Sequence, residues 1–146
     1  MNAALSVVEL GQDDYDTVLA LWREAGLPIK PTGRDSRAQF TAQLASGLQQ
    51  VIGARIEERL VGVIVATHDG RKGWLNRLAV HPDFRRQGIA LALVDEAERA
   101  LRARGLGIFA ALVEEPNDAS LALFTTAGYS AHPEIRYLSK RDEADI

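Results

Sequence analysis

Apolar and polar positions change period several times along the chain, and each change marks an element. A short apolar run at residues 5–10 predicts a first strand. Over residues 12–25, Tyr15, Val18, Leu19 and Trp22 recur at i, i+3, i+4 and i+7, one face of a helix. Asp13 and Asp14 suit the positive end of its dipole, and Gly26 and Pro28 stop it. After a polar loop at 30–34, Asp35 or Ser36 caps a second helix that carries Phe40 and Leu44 and ends at Gly47. Residues 50–56 and 60–67 predict strands joined by the polar turn Glu57-Glu58-Arg59. The hairpin signal Asp69-Gly70 then leads to a strand at 73–80, which His81-Pro82-Asp83 breaks.

The best-patterned helix spans residues 88–103. Ile89, Leu93, Ala97, Ala100 and Leu101 share one face, charged residues fill the other, and Gly105 stops it. The nearly unbroken apolar run 106–113 predicts a strand buried on both faces. A helix separates it from the strand before, so the two run parallel. Pro116-Asn117 opens a helix at 118–127, Gly128 closes it, and 129–131 and 135–139 predict short final strands. The sum is a mixed α/β sheet.

The 146 residues fit one domain, residues 1–146, at 47% apolar and 25% charged. A net charge of -3 argues against general nucleic-acid binding. The absence of cysteine excludes disulfides, thiolate metal sites and a cysteine nucleophile, and His68, His81 and His132 are too scattered to suggest a metal. No apolar run approaches the roughly 20 residues of a membrane span, and no basic leader precedes residue 5. A cytoplasmic protein without a membrane or nucleic-acid partner is expected.

The chemistry concentrates where the strand ending at Val80 gives way to the helix beginning near Gln87. The first N–H groups of a helix lack partners within it and carry the positive end of its dipole, which makes them an anion site. Gly88 lets a bulky phosphate approach the backbone, Ala90 keeps the next position small, and Arg85 and Arg86 add positive charge. A solvated turn is the plainer reading, but glycine within a helical turn costs about 1 kcal/mol against alanine. The lysine and hydroxyl of a P-loop are missing, as are the further glycines of a dinucleotide fingerprint.

Arg85-Arg86-Gln87-Gly88-Ile89-Ala90 resembles [RQ]-x-x-G-x-[GA], the acyl-CoA signature of the GNAT superfamily of N-acetyltransferases. The flanking segments, L-A-V-H-P-D-F before it and E-E-P-N-D-A-S-L-A-L-F-T-T-A-G-Y after it, extend the resemblance to about residues 5–140. The resemblance implies a seven-stranded mixed sheet with about four helices, splayed between its fourth and fifth strands, with acetyl-CoA in the split. It implies that backbone amides of Arg86, Gln87, Gly88, Ile89 and Ala90 hold the pyrophosphate, with Arg85 and Leu91 at the margins. Backbone groups of Leu78, Ala79 and Val80 would pair with pantetheine, and the Val80 amide would polarise the thioester carbonyl. Asn117 would contact pantetheine through its side chain, although N-cap of the following helix is its structural role. Ser120 and Leu121 would flank the cofactor, which is a co-substrate and needs no metal.

The implied reaction is direct attack of an amine, on a small molecule, an amino acid or a protein, on the thioester. An alkylamine has a pKa near 10.4, so deprotonation at pH 7 costs about 4–5 kcal/mol and a base or water chain must assist. The chain departs here from many relatives. Asn76 and Arg77 stand where an acid often sits on the fourth strand, Leu112 stands at the fifth-strand glutamate position, and Phe124 replaces the frequent tyrosine acid beside the cofactor. Glu114, of the same strand parity as Leu112 if the strand runs that far, and Glu115, at the mouth of the split, are candidate bases; Asn76 can orient water or the amine. Tyr129 or Tyr137 can supply a hydroxyl, and Trp22, Leu27, Pro28, Ile29, Lys30, Arg34 and Tyr137 are acceptor-site candidates. The competing reading is an acyl-CoA-binding module of the same fold with little catalysis. Members of the family often dimerise, so a homodimer is the expectation for assembly.

Overall fold

The computed structural model describes residues 4–114 and 117–144. Among them, β1 (Leu5–Leu10), β2 (Gln49–Ile56), β3 (Arg59–His68), β4 (Gly73–Val80) and β5 (Phe109–Ala110) form one sheet in chain order. The first four strands are antiparallel, and β4 pairs parallel with β5. The helices are α1 (Tyr15–Glu24), α2 (Arg37–Ala45), α3 (Ile89–Ala103) and α4 (Asp118–Thr126).

The sheet separates two cores. On one face Val18, Leu19, Leu21 and Trp22 of α1 and Phe40 of α2 pack on Val51, Val63 and Val65. On the other, Leu93, Val94, Ala97 and Leu101 of α3 and Phe124 of α4 pack on Ile52, Ile64 and Leu75. β3 feeds both, so its seven residues from Leu60 to Ala66 are buried without alternation. Two glycines set the distance of α3 from the sheet. A Cβ on Gly62 would lie 2.9 Å from Leu93 Cδ1, and one on Gly73 2.5 Å from Leu101 Cδ1.

Five strands, not seven, are present among the described residues. The apolar run 106–113 pairs only at Phe109 and Ala110, opposite Gly73 and Trp74. Its side chains are not buried on both faces: Ile108 is 54% exposed and Leu112 57%. Residues 129–131 and 135–139 form no strand either. Tyr129 N–H donates to Phe124 O and closes α4, and Ile135 N–H donates to His132 O in a turn. A strand needs an edge to pair with, and the two residues of β5 offer almost none. The chain after α4 therefore leaves Ile135, Tyr137 and Leu138 exposed.

The β2–β3 hairpin closes through Glu57 and Glu58, at φ 51° and 69°. That left-handed pair is a type I′ turn, which Asn-Gly suits and glutamate does not. The double substitution Glu57→Asn with Glu58→Gly is expected to stabilise the protein by about 1 kcal/mol, a rise in Tm of about 2–4 °C. Thermal unfolding of the two proteins checks it.

Candidate active site

Past Trp74 and Ala110 the β4–β5 pairing ends, and β4 continues for six more residues without that neighbour. The sheet is thus split on one side of β4, beginning at Leu75. Leu78, Ala79 and Val80 lie along this edge. Within it β4 carries a bulge that the sequence did not announce. The register to β3 steps from Val63–Ala79 to Val65–Asn76, and Arg77 takes a left-handed conformation at φ 55°. Alternation breaks there: Leu75, Leu78 and Val80 pack on the α3 side, Ala79 on the α1 side. Bulges of this kind re-aim backbone groups beside active sites. Trp22 Nε1 donates to the Arg77 carbonyl at 3.3 Å and holds the bulge from α1.

Beyond Val80, His81 is buried and ties the turn Pro82–Phe84 to its surroundings. Its Nδ1 accepts the Asp83 N–H at 3.1 Å, and its Nε2 lies 2.8 Å from Glu24 Oε2 of α1. Arg85 folds back, with Nε donating to Val80 O at 3.3 Å and Nη2 to Ala25 O at 3.4 Å. Arg86 and Gly88 both adopt left-handed backbone, at φ 64° and 79°. Alternation of this kind points successive N–H groups into one concavity.

The helix starts at Ile89, one residue later than its pattern predicts, because Gly88 is its N-cap rather than part of its first turn. The glycine therefore answers a conformational demand, and the interior cost argued from sequence does not arise. No side chain caps α3, and a Cβ at Gly88 would meet nothing within 4 Å. The helix N-terminus is open, with room above it. Ile89 turns its side chain into the core, and Ala90 and Leu91 are half-buried.

Asn117 caps α4, its Oδ1 accepting the Ser120 N–H at 3.1 Å. Phe124 is buried edge-on against Tyr129, with ring centroids 5.1 Å apart. Glu114 is exposed four residues beyond the end of β5, so the parity argument that placed it beside Leu112 has no strand to stand on. Glu115 lies outside the described residues. Asn76 Nδ2 donates to Thr67 Oγ1 at 3.1 Å across the β3–β4 pair. Tyr129 is a poor acid: its hydroxyl donates to Glu98 Oε2 at 2.8 Å, and burial first, then that bond, push its pKa well up. Tyr137 is 72% exposed in the segment after α4 and does not line the cavity beside Trp22. His68 and His132 bond within their own turns, and no group of three or more metal-ligating side chains occurs among the described residues.

On the α1 side of β4, a cavity of about 200 Å³ is lined by Trp22, Arg34, Asp35, Gln43, Gln49 and Arg77, with Val65. Asp35 was legible only as a possible helix cap. Ser36 takes that role, its Oγ accepting the Gln39 N–H at 3.2 Å. Asp35 instead turns inward: Oδ2 accepts the Lys30 N–H at 2.7 Å and lies 3.4 Å from Arg77 Nη2. Arg77 stacks on the Trp22 ring, 4.4 Å from its centroid.

A mixed sheet opened beside its fourth strand, with an uncapped helix N-terminus at the mouth, is an architecture for an extended ligand that ends in an anion. The chain belongs to the acetyltransferase (GNAT) family, whose pattern it matches over residues 15–129, and is an acetyl-CoA-dependent acyltransferase. It is 34% identical over 131 residues to the acetyltransferase plu1384 of Photorhabdus laumondii, covering 89% of this chain and 90% of that one. Its fold is similar to that of the PaiA N-acetyltransferase of Thermoplasma acidophilum, solved with coenzyme A. The TM-score is 0.77 at 18% identity, covering 88% of this chain and 91% of that one. It is also similar to AAC(6')-Iy, solved with a bisubstrate analogue, at a TM-score of 0.80 and 16% identity, covering 95% and 99%. No helix among the described residues is long and apolar enough to cross a membrane.

Proposed function

We propose that residues 1–146 form one N-acetyltransferase domain that moves the acetyl group of acetyl-CoA to a primary amine by direct attack, with both substrates bound. The open N-terminus of α3, entered through the left-handed Arg86 and Gly88, carries this reading. It offers the amides of Arg86, Gln87, Gly88, Ile89 and Ala90 to a pyrophosphate, with Arg85 and Leu91 beside them. The unpaired edge at Leu78, Ala79 and Val80 offers backbone partners to pantetheine. Asn117 and Ser120, at the start of α4, are proposed to flank it, as is Phe124 by its position.

In the reaction the amine nitrogen attacks the thioester carbon, the C–N bond forms, the C–S bond breaks, and the sulfur leaves as a thiolate that takes up a proton. The amine must first lose its proton. We assign that step to water oriented by polar groups such as Asn76, with Glu114 and Glu115 as the alternative bases that the sequence offers. The structures with coenzyme A and with a bisubstrate analogue support the choice of cofactor, and the name N-acetyltransferase carried by the first supports an amine acceptor.

A screen of amines with acetyl-CoA, following release of free thiol, tests the proposal. Turnover of at least one amine is expected, with a rate that rises with pH as the neutral amine fraction grows. Micromolar acetyl-CoA binding without turnover of any amine would favour the binding module instead.

A further inference from the structure

The cavity on the α1 side of β4 holds more positive charge than it neutralises. Arg34 and Arg77 face the single carboxylate of Asp35, which already accepts a backbone N–H from Lys30. A guanidinium carries five donors. On Arg77, Nη1 donates to Pro28 O at 2.9 Å. Nη2 sits 3.4 Å from Asp35 Oδ2 without the alignment of a hydrogen bond, Nε has no partner, and both nitrogens are closed off from solvent. Arg34 Nε lies 3.9 Å from the same carboxylate and keeps 40% of its side chain exposed. Burial lowers the pKa of Arg77, which Asp35 opposes and Arg34 reinforces. A buried donor left without a partner is costly, because it has given up water for nothing. Arg77 tolerates that cost on a residue whose backbone is itself strained by the bulge.

The bulge is what joins this cavity to the split. The backbone of Arg77 adjoins the β4 edge, Leu78 to Val80, proposed to pair with pantetheine, and its side chain lines the cavity. The volume is below the roughly 300–1,000 Å³ of drug-sized sites, so a small acceptor suits it. We propose that the acceptor amine carries a carboxylate, as an amino acid does, and that the cavity takes this carboxylate between Arg34 and Arg77. The partly exposed fork of Arg34 matches a carboxylate with two parallel bonds, and Arg77 behind it adds positive charge.

This inference rests on the acetyltransferase reading above, and the test separates the two. Acetyl-CoA binding is measured first by calorimetry. Thiol release is then followed with a panel of L-amino acids and their matched carboxamides. Acids are expected to exceed their carboxamides at least tenfold in kcat/KM, although the carboxamide amines are the less basic and so the more deprotonated. Arg34→Gln, on an exposed loop, is expected to raise KM for the acids about tenfold and to leave KM for the carboxamides alone. Equal or reversed preference overturns the inference, as does failure of every acid to react while acetyl-CoA binds. Failure to bind acetyl-CoA overturns the acetyltransferase reading beneath it.

Discussion

Gly88→Glu is expected to abolish acetyl-CoA binding, lowering affinity at least a hundredfold while the protein stays folded. The glycine sits at φ 79° with nothing within 4 Å of where a Cβ would stand. A glutamate there meets no steric obstacle and has only the left-handed conformation against it, at about 1–2 kcal/mol. Its carboxylate would reach the unpartnered amides of α3 and take the place of the pyrophosphate, favoured by the helix dipole. Fold retention and loss of binding thus follow from one geometry. Gly88→Asn, which tolerates the left-handed region and is uncharged, is expected to keep far more affinity. Calorimetry with acetyl-CoA reads both variants, and an unchanged affinity for the glutamate variant would remove Gly88 from the site.

Leu93→Ala is expected to destabilise the protein by about 3–4 kcal/mol, the largest stability effect anticipated here. Leu93 is fully buried at the centre of the α3 face and touches the position where Gly62 lacks a side chain. Gly62→Ala alone forces its methyl to 2.9 Å from Leu93 Cδ1 and 3.0 Å from Ile89 Cγ2, so it too destabilises, by about 1–3 kcal/mol. Together the two changes relieve each other in part, because the new methyl enters the space the leucine vacates. The double variant is expected to fall short of the sum by about 1 kcal/mol. Denaturant unfolding of the four proteins measures it. Strict additivity would mean that α3 does not seat on Gly62 as described.

The strength of these local patterns explains how much of the fold was legible. α3 shows charge and apolarity on opposite faces for four turns, and its span is misplaced by one residue. β2, β3 and β4 were legible from apolar runs and turn residues alone, as was the parallel β5 from the helix before it. The anion cradle was legible because its requirements are local: a glycine, a strand end and a helix start, all within residues 80–90.

The errors are of one kind. The run 106–113 has the composition of a buried strand, but composition does not say whether a neighbouring edge stays within reach. β4 and β5 part after two residues, so only Phe109 and Ala110 pair. The predicted strands after α4 have alternating residues and no edge at all. Glu114 lost its assigned face with the strand that was to carry it. The acceptor side was read as a list that included Trp22 and Arg34 without the residue that organises it.

What the chain determined by itself was therefore the order of elements, the two amphipathic cores and the place of the anion site, because each depends on residues close in sequence. Tertiary structure alone decided the bulge at Arg77, the inward turn of Asp35 and the cavity between them. Arg77 lies 42 positions beyond Asp35 and 55 beyond Trp22 in the chain. An arginine has no intrinsic reason to take φ 55°, and it does so where Trp22 holds its carbonyl and Asp35 faces its guanidinium.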